Sequence, residues 1–265
     1  MFPIIHILGK DIGTYSLCSV LGLAACVICA TVLGKKLKFA FEDVILFVLA
    51  IIAGILVGGH LLYGITNFNN IVLIFSKISV LPFKTFISLI AEAFGGMVYY
   101  GGFIGAYIAV VIYTSRSLKE KRYDLFDLFA VCVPLFHAFG RIGCFFGGCC
   151  YGVESRFGIT VHNNHLVPEL NDVSRLPVQL IESFCNFMIF LTLLFMFKKF
   201  ILRKNLIYVY MVIYAPIRFV LEFFRGDAIR GFLFFLSTSQ WISIILFVFG
   251  AVNLILRRER KEQIA

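Results

Sequence analysis

Val44-Ile45-Leu46-Phe47-Val48-Leu49-Ala50-Ile51-Ile52-Ala53-Gly54-Ile55-Leu56-Val57-Gly58-Gly59-His60-Leu61-Leu62 is one unbroken apolar stretch with a single ionisable side chain. It has no polar face at helical spacing, which a helix on the surface of a soluble bundle needs. Its hydrophobicity is continuous rather than alternating, so it is not the strand of a membrane barrel. About 20 such residues cross the hydrocarbon core of a bilayer as one helix. Gln240 to Leu256 repeats the pattern near the other end of the chain.

The whole chain agrees with these two stretches. Of 265 residues, 60% are hydrophobic and only 15% charged, and the mean hydropathy is +0.94. A soluble domain is nearer half apolar and a quarter charged. Windows of bilayer length predict seven spans, at about 12–33, 43–65, 95–114, 124–143, 179–200, 205–224 and 239–256. The predicted class is an all-α integral membrane protein, one polytopic domain over residues 1–265. The first apolar run lacks the basic leader and small-residue cleavage site of a signal peptide, so it is expected to stay as a helix.

The formal net charge is +9, but its placement speaks against nucleic acid as a partner. Lys35, Lys36 and Lys38 form one basic cluster, and Arg116, Lys119, Lys121 and Arg122 a second. Lys198, Lys199, Arg203 and Lys204 form the third, and Arg257, Arg258, Arg260 and Lys261 the fourth. They follow spans 1, 3, 5 and 7, as the positive-inside bias predicts for cytoplasmic loops, and anionic lipid headgroups suit them. The N-terminus is then extracytoplasmic and the C-terminus cytoplasmic. Residues 66–94, with Asn67, Asn69, Asn70 and Pro82, read as an outer interfacial or re-entrant segment. Residues 152–178, the longest polar loop, include Glu154, Arg156, His162, Asn163, Asn164, His165, Glu169, Asp172 and Arg175, and read as an extracytoplasmic cap.

Ionisable residues inside a span cost several kcal/mol and mark functional sites by default. Three places qualify, each with a plainer alternative. Gly140-Arg141-Ile142-Gly143-Cys144-Phe145-Phe146-Gly147-Gly148-Cys149-Cys150-Tyr151-Gly152 closes span 4. Its glycines permit sharp turns and close approach of a ligand, and Arg141 offers a planar fork for a phosphate or simply snorkels from a helix end. Arg218, Glu222 and Arg225 on span 6 are four and three residues apart, hence on one helix face. They form either a structural ion pair or a phosphate site that Glu222 orients. Gly95-Gly96-Met97-Val98-Tyr99-Tyr100-Gly101-Gly102-Phe103-Ile104-Gly105 opens span 3, and reads either as close helix packing with belt tyrosines or as a site.

Cys18, Cys26, Cys29, Cys132 and Cys185 lie in apolar runs and read as small buried hydrophobes. Cys144, Cys149 and Cys150 cluster near the outer face, with His137 in the same span. They could bind a soft metal or form a disulfide. The spacing matches no established zinc pattern, so no metal or cofactor is expected.

At these places the chain resembles the prolipoprotein diacylglyceryl transferase family. The family's signature Gly-Arg-x-Gly-Asn-Phe-x-Asn-x-Glu-x-x-Gly is met at Gly140, Arg141, Gly143, Phe145 and Gly152. Pro177-Val178-Gln179-Leu180-Ile181-Glu182 resembles its Pro-x-Gln-x-x-Glu, and Arg218 to Arg225 its Arg-x-x-x-Glu-Phe-x-Arg. The stretch around Tyr15 and the Gly-rich segment before span 3 fall in matching order. The resemblance implies transfer of the diacylglyceryl group of phosphatidylglycerol to the lipobox cysteine of a prolipoprotein signal peptide, with release of glycerol phosphate. It implies a multi-pass protein of the bacterial cytoplasmic (inner) membrane, with a cavity open to lipid and to the outer surface. Arg141, Arg218 and Tyr100 become the expected catalytic residues. Tyr15, Gly101, Gly102, Gly143, Gln179, Glu182, Glu222 and Arg225 join Arg141 as the expected substrate-binding set.

The chain departs from that pattern at the thiol-activating half of the site. Tyr100 stands where the family carries a His before its Gly-Gly pair, and a tyrosine is a weak base at neutral pH. Cys144, Gly147 and Cys149 stand at the two Asn positions and the Glu. The alternatives are therefore a paralogous lipid-group transferase with another acceptor, Cys149 or Cys150 serving as nucleophile, and a non-enzymatic lipid-binding or transport protein. A transporter would carry internal repeats and paired broken helices, and the sequence has neither.

Overall fold

A computed structural model describes residues 3–7, 9–162, 164, 167–227 and 232–262. Asn163 and His165 of the polar loop lie outside the described residues, as do the side chains of Tyr99, Arg258, Arg260 and Lys261. Nine helices follow one another among the described residues: α1 (Thr14–Lys36), α2 (Phe41–Thr66), α3 (Phe68–Ser76), α4 (Phe83–Ala93), α5 (Tyr99–Arg116), α6 (Arg122–Gly147), α7 (Val178–Lys198), α8 (Leu206–Leu221) and α9 (Thr238–Glu262). Six of them, α1, α2, α6, α7, α8 and α9, are long and apolar enough to cross a membrane. The remaining expected span coincides with α5, whose tyrosines and glycines leave it short of the other six.

The described residues are mostly helical, with strands confined to small two-stranded hairpins in the loops. β1 (Ile4–Ile7) pairs with β2 (Lys10–Gly13), β3 (Glu154–Thr160) with β4 (Ser174–Arg175), and β5 (Phe232–Leu233) with β6 (Leu236–Ser237), all antiparallel. None of these was expected from hydropathy. Short strands in polar loops bury too little to leave an alternating signature.

Helix ends follow local chemistry. After α1, Lys38 takes φ 58°, and the Phe39 N–H donates to the Gly34 carbonyl at 3.1 Å, which closes a Schellman turn. After α7, Phe200 at φ 58° and the Ile201 N–H to the Met196 carbonyl, 2.9 Å, repeat it. Gly148 at φ 78° does the same for α6, with the Cys149 N–H donating to the Cys144 carbonyl at 3.1 Å. Lys35, Lys36 and Lys198 in the last turns complement the helix dipoles.

The chain forms two compact units. In the unit of residues 34–125, α2 and α5 pack through bare backbone. A Cβ at Gly105 would stand 2.1 Å from the Gly54 carbonyl oxygen, and one at Gly101 2.3 Å from that of Gly58. Gly101 thus takes part in close helix packing. His60 Nδ1 lies 2.8 and 2.9 Å from the carbonyls of Phe94 and Gly96. α3 has no buried residue and α4 only Ala93; Phe68, Val80 and Phe83 stand exposed.

In the other unit, residues 1–33 with 126–265, α6 and α8 are central. Inside the protein, 61% of the apolar window of each is buried, against 17% for α9. α1 packs on α6 where Gly22 lies against Phe139 and Gly143 against Tyr15 and Cys18. Asp127 of α6 is 1% exposed. Its carboxylate accepts from the Lys204 N–H at 2.5 Å and the Leu206 N–H at 3.0 Å. A buried acid from one helix so caps the start of another.

Candidate active site

The site is built on three helices of the second-described unit, around Glu182. This carboxylate sits in the first turns of α7 and is 2% exposed. Its Oε2 accepts from Arg141 Nη2 of α6 at 2.5 Å and from Arg218 Nη1 of α8 at 3.4 Å. Its Oε1 accepts from the Tyr214 hydroxyl at 3.1 Å, and His137 Nε2 lies 3.5 Å from it. His137 and Tyr214 also meet ring edge to ring face, 5.3 Å between centroids.

The charges continue along α8. Arg218 Nη2 is 2.7 Å from Glu222 Oε2 and donates to Ser239 Oγ of α9 at 3.3 Å. Arg225 Nη1 reaches Glu222 at 3.6 Å, and its Nε donates to Asp227 at 2.9 Å. Three guanidinium groups so alternate with three carboxylates. Buried charges persist in this way only when each is matched, because desolvation otherwise costs several kcal/mol per ion. One donor stays unmatched: Arg141 Nε is buried with no hydrogen-bond partner among the described residues. Arg141 Nη1 faces only a sulfur, Cys144 Sγ at 3.9 Å. No Cβ at the neighbouring Gly140 would meet anything within 4 Å.

The expected residues fall into place unevenly. Arg141, Glu182, Arg218, Glu222 and Arg225 form this one cluster. α8 ends at Leu221, and a 3-10 turn over Glu222–Phe224 leads to Arg225 in extended backbone. Arg225 is held there by the strip around Gly152, whose bare Cα passes the carbonyls of Leu176 and Phe224. Gln179, 2% exposed, donates from Nε2 to the Cys149 carbonyl at 2.9 Å, so it pins the loop after α6. Tyr15 is half exposed, and its backbone lies against Gly143. Tyr100, Gly101 and Gly102 belong to the unit of residues 34–125. A Cβ at Gly102 would stand 3.3 Å from Ile55.

Tyr214, Ser239 and Asp227 were not expected at the site, and His137 only beside the cysteines. Polar side chains on the buried faces of apolar helices were the available signal. Cys144, Cys149 and Cys150 are thiols rather than a disulfide. Contacts with the Cys144 and Cys149 thiols outweigh burial and, with the nearby Arg141 and Arg225, hold Cys150 below the ordinary thiol range.

Six helices long and apolar enough to cross a bilayer, with matched arginines and carboxylates buried between them, define a multi-pass membrane protein. The sequence profile of prolipoprotein diacylglyceryl transferase matches residues 3–256, and the chain belongs to that family. A phosphatidylglycerol–prolipoprotein diacylglyceryl transferase of Clostridium tetani (strain Massachusetts / E88) is 31% identical over 269 residues, covering 99% of this chain and 100% of that protein. The enzyme of that name numbered 2 in Clostridium perfringens (strain 13 / Type A) is 35% identical, covering 97% of each chain. One from Campylobacter curvus (strain 525.92) is 35% identical over 59% of this chain.

Proposed function

We propose that this chain transfers the diacylglyceryl group of phosphatidylglycerol to the lipobox cysteine thiol of prolipoproteins. The single observation that carries the reading is Arg141, held by Glu182 yet with its buried Nε unpartnered. A phosphodiester oxygen is the acceptor that donor lacks.

In the reaction the acceptor sulfur attacks the glyceryl carbon bearing the phosphate. A C–S bond forms, the C–O bond breaks, and glycerol phosphate leaves with the electron pair. The thiol proton passes to a base, for which Tyr100 in its phenolate form is the proposed group. Arg141 and Arg218 stabilise charge growing on the leaving phosphate, and Glu182 and Glu222 hold the two guanidinium groups in place. Cys149 and Cys150 are poor candidates for a covalent relay, because a thioether carbon formed on them would not be displaced by a second thiol. We place α5 as a seventh span, with the N-terminus and the 152–178 loop on the outer face of the bacterial cytoplasmic membrane. Residues 66–94 lie in the outer interface, and the whole chain acts as one membrane domain.

Purified protein, phosphatidylglycerol and a lipobox peptide should give a thioether-linked diacylglyceryl peptide and glycerol phosphate in equal amounts. Absence of product would overturn the reading. Product with a different thiol or amine acceptor, and none with the lipobox peptide, would favour a paralogous lipid-group transferase. Arg141→Ala and Arg218→Ala should each lower kcat by roughly 100- to 1,000-fold, and wild-type rates from both would remove the phosphate clamp.

A further inference from the structure

We propose that Cys144, Cys149 and Cys150 form a binding site for one thiophilic d10 metal ion, Zn(II) or Cu(I). The three Sγ atoms lie within 4.8 Å of one another. Zinc–thiolate bonds of about 2.3 Å place ligand sulfurs about 3.8 to 4.0 Å apart, so side-chain rotations of at most about an ångström close the set.

The convergence is built by the backbone. The Schellman turn at Gly148 folds Cys149 back over Cys144, with the Cys149 N–H on the Cys144 carbonyl. Cys150 then takes φ 56°, a left-handed conformation that a residue with a Cβ adopts at a cost. That conformation turns the third sulfur toward the first two. Gln179, itself buried, locks the loop through the Cys149 carbonyl at 2.9 Å. A disulfide would use two of these thiols and leave the third without a purpose, whereas soft ions take three thiolates. Zn(II) on three thiolates carries one net negative charge, any thiol protons going to solvent. Arg141, whose Nη1 is 3.9 Å from Cys144 Sγ, offsets it. Cys149 is exposed while Cys144 is buried, so the ion has a way in and a fourth position for water. The sequence spacing carried no such expectation, and the inference is independent of the transfer reaction.

The test uses the full chain in detergent, reduced and freed of metal, then titrated with Zn(II), Cu(I) or, as a spectroscopic probe, Co(II). Wild type should take up one equivalent, with a thiolate-to-cobalt charge-transfer band in the near ultraviolet. Cys144→Ser, Cys149→Ser and Cys150→Ser should each weaken uptake at least tenfold, while Cys185→Ser on α7 leaves it unchanged. Where a variant folds poorly, alkylation of the wild type followed by mass spectrometry decides. Metal should protect these three thiols together and leave Cys185 reactive. Sub-stoichiometric uptake, equal uptake by the three variants, or a stable disulfide within the trio after reduction and metal exposure would each overturn the site.

Discussion

Glu182 faces Arg141, Arg218 and Tyr214 at once with one carboxylate. Neutralising it leaves the buried Arg141 without its counter-charge and takes from Arg218 one of its carboxylate partners. Glu182→Gln should therefore cost about 3–5 kcal/mol of stability, seen as a lower Tm in detergent, and abolish transfer in the protein that remains folded. An unchanged Tm would mean that the arginines reach water. Tyr100 carries a separate prediction. If its phenolate oxygen takes the thiol proton, Tyr100→Phe should slow transfer roughly 100- to 10,000-fold without altering lipid binding, measured as KM for phosphatidylglycerol. A full rate from Tyr100→Phe would move the base elsewhere.

Two junctions between helices decide whether the elements assemble. Asp127 receives the first free N–H groups of the turn into α8, so Asp127→Ala should destabilise the protein by about 1–2 kcal/mol, whereas Asp127→Asn, which keeps an acceptor, should cost less. Thermal unfolding in detergent compares the two. At the α2–α5 seam, each Cβ added to Gly101 or Gly105 would meet a carbonyl oxygen nearer than 2.5 Å. Gly105→Val should force the helices apart and lower the yield of folded protein, while Gly140→Ala, which meets nothing within 4 Å, should fold normally. Small-residue seams of this kind hold membrane helices together by close contact rather than by hydrophobic expulsion. Arg218 and Glu222 were legible as neighbours because four-residue spacing is a helical property, whereas Arg225, expected on the same helix face, lies beyond the end of α8. The 3-10 turn that re-aims Arg225 was not legible, since it depends on the strip around Gly152.

For the molecule as a whole, the basic clusters predict the orientation. Single cysteines placed at Glu169 and at Lys119, in a background without the native thiols, should differ in labelling by a membrane-impermeant maleimide on intact cells. Position 169 should label directly and position 119 only after permeabilisation; the opposite order would invert the topology.

The apolar runs, the basic clusters and the order of the motifs are properties of neighbouring residues, because a bilayer selects each span by its own length and hydrophobicity. These were readable from the chain alone, and the six long helices lie where the runs predicted. What only the tertiary structure decided is which charges meet. Arg141 and Glu182 are separated by 41 residues, and nothing local marks them as partners. Gln179 was expected at the substrate site, and its hold on the loop after α6 was not visible in the sequence. The three thiols converge because one helix ends at a glycine and the next turn runs left-handed, a result of backbone geometry that composition does not encode.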